Sequence, residues 1–198
     1  MLEPKDEAAP DFRPALVICA WDVDEAGWDP VEDLSGESWH PIGARTVPVA
    51  AGEPEALATI LSAHLDDRSC RGLLLVGRTR RSDAFRLQMR AENRSLGGGR
   101  LDVVGPGMAR ATAPVADIVR ALNEAGLAAG ASSESEEDAG SYLLYRVLSG
   151  LPDGPDTPAI GLLRAPEHET DAAVQRAVKA AAQAMAHHLP PLPRSRAN

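Results

Sequence analysis

An α/β fold is predicted by three features of this chain. Short continuous apolar runs recur along it, segments with helical spacing of apolar residues lie between several of them, and Gly- and Pro-containing turns punctuate the joints. Pro14-Ala-Leu-Val-Ile-Cys-Ala20 is too short and too uniformly apolar for a surface helix and is read as a first buried strand. Ala44 to Ala50 is β-rich, but Pro48 cannot donate to a ladder and restricts the run to an edge. Glu53 to Leu65 places Leu57, Ile60, Leu61 and Leu65 at helical spacing, which predicts an amphipathic helix with those four inward. Gly72-Leu-Leu-Leu-Val-Gly77 is a second buried strand.

From Phe85 the pattern changes to alternation. Phe85, Leu87, Met89 and Ala91 interleave with Arg86, Gln88 and Arg90, the signature of one half-exposed strand with Gln88 on its polar face. Turns follow at residues 95–100 and 104–107. Thr112-Ala-Pro114 opens a helix whose stripe is Val115, Ile118, Val119 and Leu122, closed by Gly126 as a C-terminal cap. Residues 127–131 form a small-residue strand, 140–151 a helix with Leu144, Val147, Leu148 and Leu151 on one face, 158–163 the last strand, and 170–187 a long Ala-rich helix. The expected organisation is a flexible N-terminus over 1–13, a single domain over 14–188 and a disordered Pro-rich tail over 189–198.

Bulk properties narrow the function. With 198 residues the chain can bury one sizeable core, and 44% apolar with 25% charged residues is the composition of a globular protein. No apolar run reaches the roughly 20 residues of a membrane span, and the acidic start is unlike a secretion signal, so a cytoplasmic location is expected. A net charge of −9 and 4% aromatic residues argue against nucleic acid and anionic membranes as partners. Two cysteines, Cys19 and Cys70, sit at edges of apolar runs and read as buried free thiols rather than a disulfide framework. No cofactor is expected, and Glu167, His168 and Glu169 are too close in sequence to converge on one metal ion.

Four short pieces carry a more specific signal. Ala20-Trp21-Asp22-Val23-Asp24-Glu25 follows the first strand, with Asp29-Pro30 further on. Gly77 to Asn93 then keeps glycine, alanine and asparagine at positions 77, 91 and 93. Asp138-Ala-Gly-Ser-Tyr-Leu-Leu144 is a turn entering a helix, and Gly161-Leu-Leu-Arg-Ala-Pro166 ends a strand. In this order and spacing the chain resembles pyroglutamyl peptidase I (pyrrolidone-carboxylate peptidase), a cysteine peptidase family that removes N-terminal pyroglutamate. The resemblance implies a three-layer α/β/α sandwich, phosphorylase/hydrolase-like, around a mixed, largely parallel sheet. It also implies a pocket for a small peptide or pyroglutamate-like ligand, and a possible homo-oligomer.

The same resemblance places the family's catalytic glutamate on Gln88, its cysteine on Leu144 and its histidine on Arg164. A cysteine peptidase needs a thiolate, a proton-shuttling imidazole and a group that orients it. Leucine has no nucleophilic atom, and arginine accepts no proton near neutral pH. The expectation is therefore a pseudoenzyme, a peptidase-family homologue without catalysis and with a binding or structural role. The candidate pocket residues are Trp21, Asp24, Ser141 and Arg164. Asp24 sets a charge where the family has an apolar wall, and Arg164 is placed to receive a carboxylate. The alternative is a hydrolase of amide or ester bonds using Ser141 near the start of its helix, with His168 the one histidine close to the site in sequence. The arginine-rich stretch 78–100 reads either as an anion patch or as a solvated face compensated by the acidic run between Asp22 and Glu37, the second being favoured.

Overall fold

The computed structural model describes residues 11–21, 39–152, 154 and 156–192. Among them the elements in chain order are β1 (Ala15–Ala20), β2 (Arg45–Val49), α1 (Pro54–Asp66), β3 (Cys70–Thr79), β4 (Phe85–Gln88), β5 (Arg90–Glu92), β6 (Met108–Arg110), α2 (Val115–Glu124), β7 (Ala129–Ser132), α3 (Ala139–Ser149), β8 (Ala159–Pro166) and α4 (Asp171–Ala186). Six strands form one sheet in the order β2-β1-β3-β8-β4-β7, parallel throughout except where β4 runs against β8. Strands β5 and β6 make a separate antiparallel ribbon. Helices α1 and α3 cover one face of the sheet and α2 and α4 the other, which is the expected three-layer arrangement. No helix is long and apolar enough to cross a membrane.

The central strands are buried on both faces, and their two-residue period sorts side chains between two cores. Leu16, Ile18, Leu74, Val76, Leu163 and Ala165 pack under α2 and α4. Val17, Cys19, Leu73, Leu75, Ile160 and Leu162 pack under α1 and α3. The same period puts Arg164 on the α3 face, two residues beyond Leu162. On β4, Phe85 and Leu87 join the α2/α4 core, so Gln88 points to the α3 face as well. Pairing of β4 with β8 sets Arg86 opposite Arg164 and Gln88 opposite Leu162, so Gln88 and Arg164 are diagonal neighbours. Both cysteines are buried free thiols, and burial pushes the Cys19 thiol up to about 12.

Three local expectations are corrected. Ile60 is 49% exposed, and Ala58 takes the inward place beside Leu57 and Leu61, because α1 presents a narrow stripe to the sheet. The alternating stretch from Phe85 is two strands in different sheets, since the chain leaves β4 after Gln88 to pair β5 with β6. Gln88 is accordingly buried, 1% exposed, and not on a solvated face. Leu189, at the start of the expected tail, is buried beside Gly72.

Helix α2 ends as its sequence predicts. Gly126 takes φ +78°, its N–H bonds Asn123 C=O, and Leu127 N–H reaches back to Leu122 C=O. This pair of bonds satisfies carbonyls that the helix end leaves open, and it needs a residue at ease with positive φ. Gly126→Ala is expected to lower stability by about 1 kcal/mol, read as a shift of the urea midpoint at unchanged slope.

Candidate functional site

The site lies where β8, β4 and the start of α3 meet. Arg164 dominates it, with 1% of its surface exposed. Its Nε donates to Gln88 Oε1 at 2.7 Å, one terminal nitrogen to Asp138 Oδ2 at 2.6 Å, and the other to Asp138 Oδ1 at 2.8 Å and Ser141 Oγ at 3.0 Å. The planar fork therefore meets one carboxylate with two parallel bonds, the strongest geometry available to arginine. A second carboxylate, Glu136, lies 3.5 Å from Nε and accepts from Thr79 Oγ1 at 2.8 Å. The guanidinium also stands 5.8 Å from the Trp21 ring centre, within cation–π range.

Asp138 is held by its helix as well as by its ion pair. It is the N-cap of α3, and its Oδ1 accepts from Ser141 N–H at 2.9 Å. Burial by itself would raise its pKa. The hydrogen bonds and charge of Arg164, with the Ser141 N–H, outweigh burial and hold the carboxyl below its ordinary value. Gln88 closes the network, its Nε2 donating to Ser141 Oγ at 3.0 Å and to Arg90 C=O at 2.8 Å.

Trp21, 8% exposed, follows β1 and lies across two glycines. A Cβ on Gly77 would stand 2.1 Å from its ring, and one on Gly140 2.6 Å. These are two of the glycines that carry the sequence motif, and here each makes room for the indole. Leu144 is fully buried in the α1/α3 core with Leu75, Leu162 and Leu148. The motif spacing thus brings Trp21, Gln88, Ser141 and Arg164 together and leaves Leu144 as packing. Asp24 lies outside the described residues. His168 is exposed, and the Ser141 hydroxyl accepts from an amide and a guanidinium, with Gln88 Oε1 at 3.4 Å and the Asp138 carboxylate as acceptors beside it.

A cavity of about 290 Å³ opens beside this network, lined in part by Arg94, Glu136, Glu137, Asp138, Ser141 and Tyr142. Arg94 pairs with Glu137 and Glu92 at its wall. Elsewhere in the arginine-rich stretch Arg78 binds Asp171, Arg80 binds Glu167 and Arg86 approaches Glu134 at 3.9 Å. The acidic run 22–37, the expected compensating segment, lies outside the described residues. Sequence reasoning missed Asp138 as the partner of Arg164. The sequence signals only its other role, since an aspartate three residues before Ser141 at a helix start is an N-cap pattern.

No family model matches the chain, and no curated protein matches it. Solved structures do. The pyrrolidone carboxyl peptidase of Thermus thermophilus is 19% identical over 85% of this chain and 98% of its own, with a TM-score of 0.68. The pyroglutamyl peptidase I of Bacillus amyloliquefaciens is 17% identical over 88% and 95%, with a TM-score of 0.70. The pyrrolidone carboxyl peptidase of Thermococcus litoralis is 15% identical over 88% and 94%, with a TM-score of 0.67. The fold of this chain is therefore that of the pyrrolidone carboxyl peptidases, as the sequence motifs imply.

Removing one partner of a buried ion pair strands the other charge in a low-dielectric interior. Arg164→Ala and Asp138→Asn are each expected to cost about 3–5 kcal/mol in urea unfolding. Because the Asp138 pKa is lowered on folding, its stabilisation is complete above the unfolded carboxyl value and is lost as pH falls through the folded one. The stability gap between wild type and Asp138→Asn should accordingly close toward strongly acidic pH. Gly77→Ala should destabilise by on the order of 1–3 kcal/mol, and far less in a Trp21→Ala background, as a double-mutant cycle would measure.

Proposed function

We propose that this chain is a pyroglutamyl-peptidase-like protein without peptidase activity, which keeps the fold for a binding or structural role. The observation that carries the reading is the engagement of Arg164 by four hydrogen bonds, two of them to one carboxylate. Where the resemblance sets a proton-shuttling imidazole, a permanently charged guanidinium is locked by Asp138, Gln88 and Ser141. Peptide-bond hydrolysis needs a group there that takes and returns a proton, and a nucleophile within its reach. Arg164 does neither, and the apolar Leu144 fills the nucleophile's place.

The binding part of the reading rests on the cavity beside Asp138 and Ser141, which reaches the buried network from the surface. Its occupant would be a small peptide or pyroglutamate-like molecule. Arg164 itself is unsuited to receive that ligand's carboxylate, because Asp138 already occupies the fork.

A second reading, an amide or ester hydrolase using Ser141, draws on the position of that serine at the start of α3 and at the cavity wall. It would require a base, and among the described residues the one carboxylate beside the hydroxyl, Asp138, is held by Arg164 and kept below its ordinary pKa, which makes it a weak one; the Gln88 amide and the Arg164 cation are the other groups that the hydroxyl faces. Two hydrogen bonds received from such donors also lower the basicity of Oγ.

Purified protein is expected to release no chromophore from a pyroglutamyl anilide above a buffer control, and a fluorophosphonate is expected to leave Ser141 unlabelled. Turnover abolished by Ser141→Ala would establish the second reading instead. Turnover retained in that variant but lost on Arg164→Lys would show that the arginine network itself supports hydrolysis, against the proposal.

A further inference from the structure

The β5–β6 ribbon carries a charge arrangement that the peptidase-like site does not use. Ala91 and Ala109 face the α1/α3 core, so the pleat turns Arg90, Glu92, Met108 and Arg110 to the outer face. The register sets Arg90 directly opposite Arg110. Ala111 N–H bonds Met89 C=O on one side, and Asn93 N–H bonds Gly107 C=O further along. The alternation of an antiparallel ladder then makes Arg90 and Arg110 a non-hydrogen-bonded pair, the closer kind, with Cα atoms about 4.5 Å apart.

Like charges directly opposite one another destabilise a strand pair. Neither guanidinium is relieved here, since among the described residues neither forms a hydrogen bond or ion pair. Arg110 is exposed, whereas Arg90 is half-buried with its Nε shielded from solvent and without an acceptor. The neighbouring carboxylates are engaged elsewhere, Glu92 with Arg94 and Glu134 with Arg86. In a chain of net charge −9, two adjacent unpaired arginines are out of keeping with the rest of the surface. Arg90 is also anchored from below, its carbonyl accepting from the buried Gln88 amide.

We propose that Arg90 and Arg110 form an oxyanion site for a phosphoryl group, free or as a monoester. Two guanidinium forks, carried on backbone positions that the strand register sets opposite each other, present two positive charges and several donors. A phosphoryl dianion has the charge to neutralise both and enough acceptor oxygens to bridge them, whereas a single carboxylate matches one fork. Bound there, the anion turns the cross-strand repulsion into a bridge that ties β6 to β5. Among the described residues the site touches the Arg164 network only through the Arg90 carbonyl, and it does not depend on how that network is read.

The test uses the full chain in thermal unfolding at fixed ionic strength, titrated with inorganic phosphate, phenyl phosphate or acetate. Both phosphates are expected to raise the melting temperature saturably, with acetate weaker, and the tighter of the two names the source of the group. Arg110→Ala and Arg90→Gln should each weaken phosphate binding about tenfold or more, the loss that goes with a charge-assisted hydrogen bond. Arg110 is exposed, so its alanine variant should fold and, in phosphate-free buffer, melt no lower than wild type. Unchanged phosphate affinity in both variants, or acetate acting as strongly as phosphate, would overturn the assignment.

Discussion

The bidentate contact between Arg164 and Asp138 is the constraint around which this end of the molecule is arranged. Arg164 comes from the middle of the sheet, where its neighbours in the strand are all buried. A charge brought there is costly unless it is paired and hydrogen-bonded, and the surrounding residues supply four hydrogen bonds and a carboxylate. Asp138 is suited to the task because it belongs to two structures at once. It caps α3 and neutralises β8, so the helix and the sheet are bound in one register by a single carboxylate.

Other features follow from that contact. Gln88 is buried against Arg164, and the chain leaves the sheet immediately after it, β5 beginning two residues later in the ribbon. Trp21 closes over the guanidinium and needs Gly77 and Gly140 to lie flat beneath it. Leu144, one turn beyond Ser141 on the same helix, is then free to serve as ordinary core. Hydrogen bonds that link Arg164, Asp138, Gln88 and Ser141 in one network favour one rigid arrangement of these side chains.

The likeness to solved structures is one of fold. The pyrrolidone carboxyl peptidase architecture is shared at under 20% identity to the structures compared, and in this chain Gly77 and Gly140 shape one corner of it around Trp21. What occupies that corner is a salt bridge. Fold likeness alone carries no activity, and the residues at the site have to supply it.

Much of this could be read before any coordinates. Strand and helix periods, the cap at Gly126 and the order of four motif pieces were enough to give the α/β class, most of its elements and the pyrrolidone carboxyl peptidase fold. Those features are local, and local patterns are written in consecutive residues. The failures were also specific. Alternation after Phe85 looked like one strand, because nothing in the residues themselves says that pairing changes partner between Gln88 and Arg90. Ile60 looked buried, because spacing gives the direction of a stripe and not its width. Asp138 and Arg164 stand 26 residues apart, and Arg90 and Arg110 stand 20 apart. Whether such charges attract, repel or never meet is decided by strand register and helix placement, which only the folded chain brings into being.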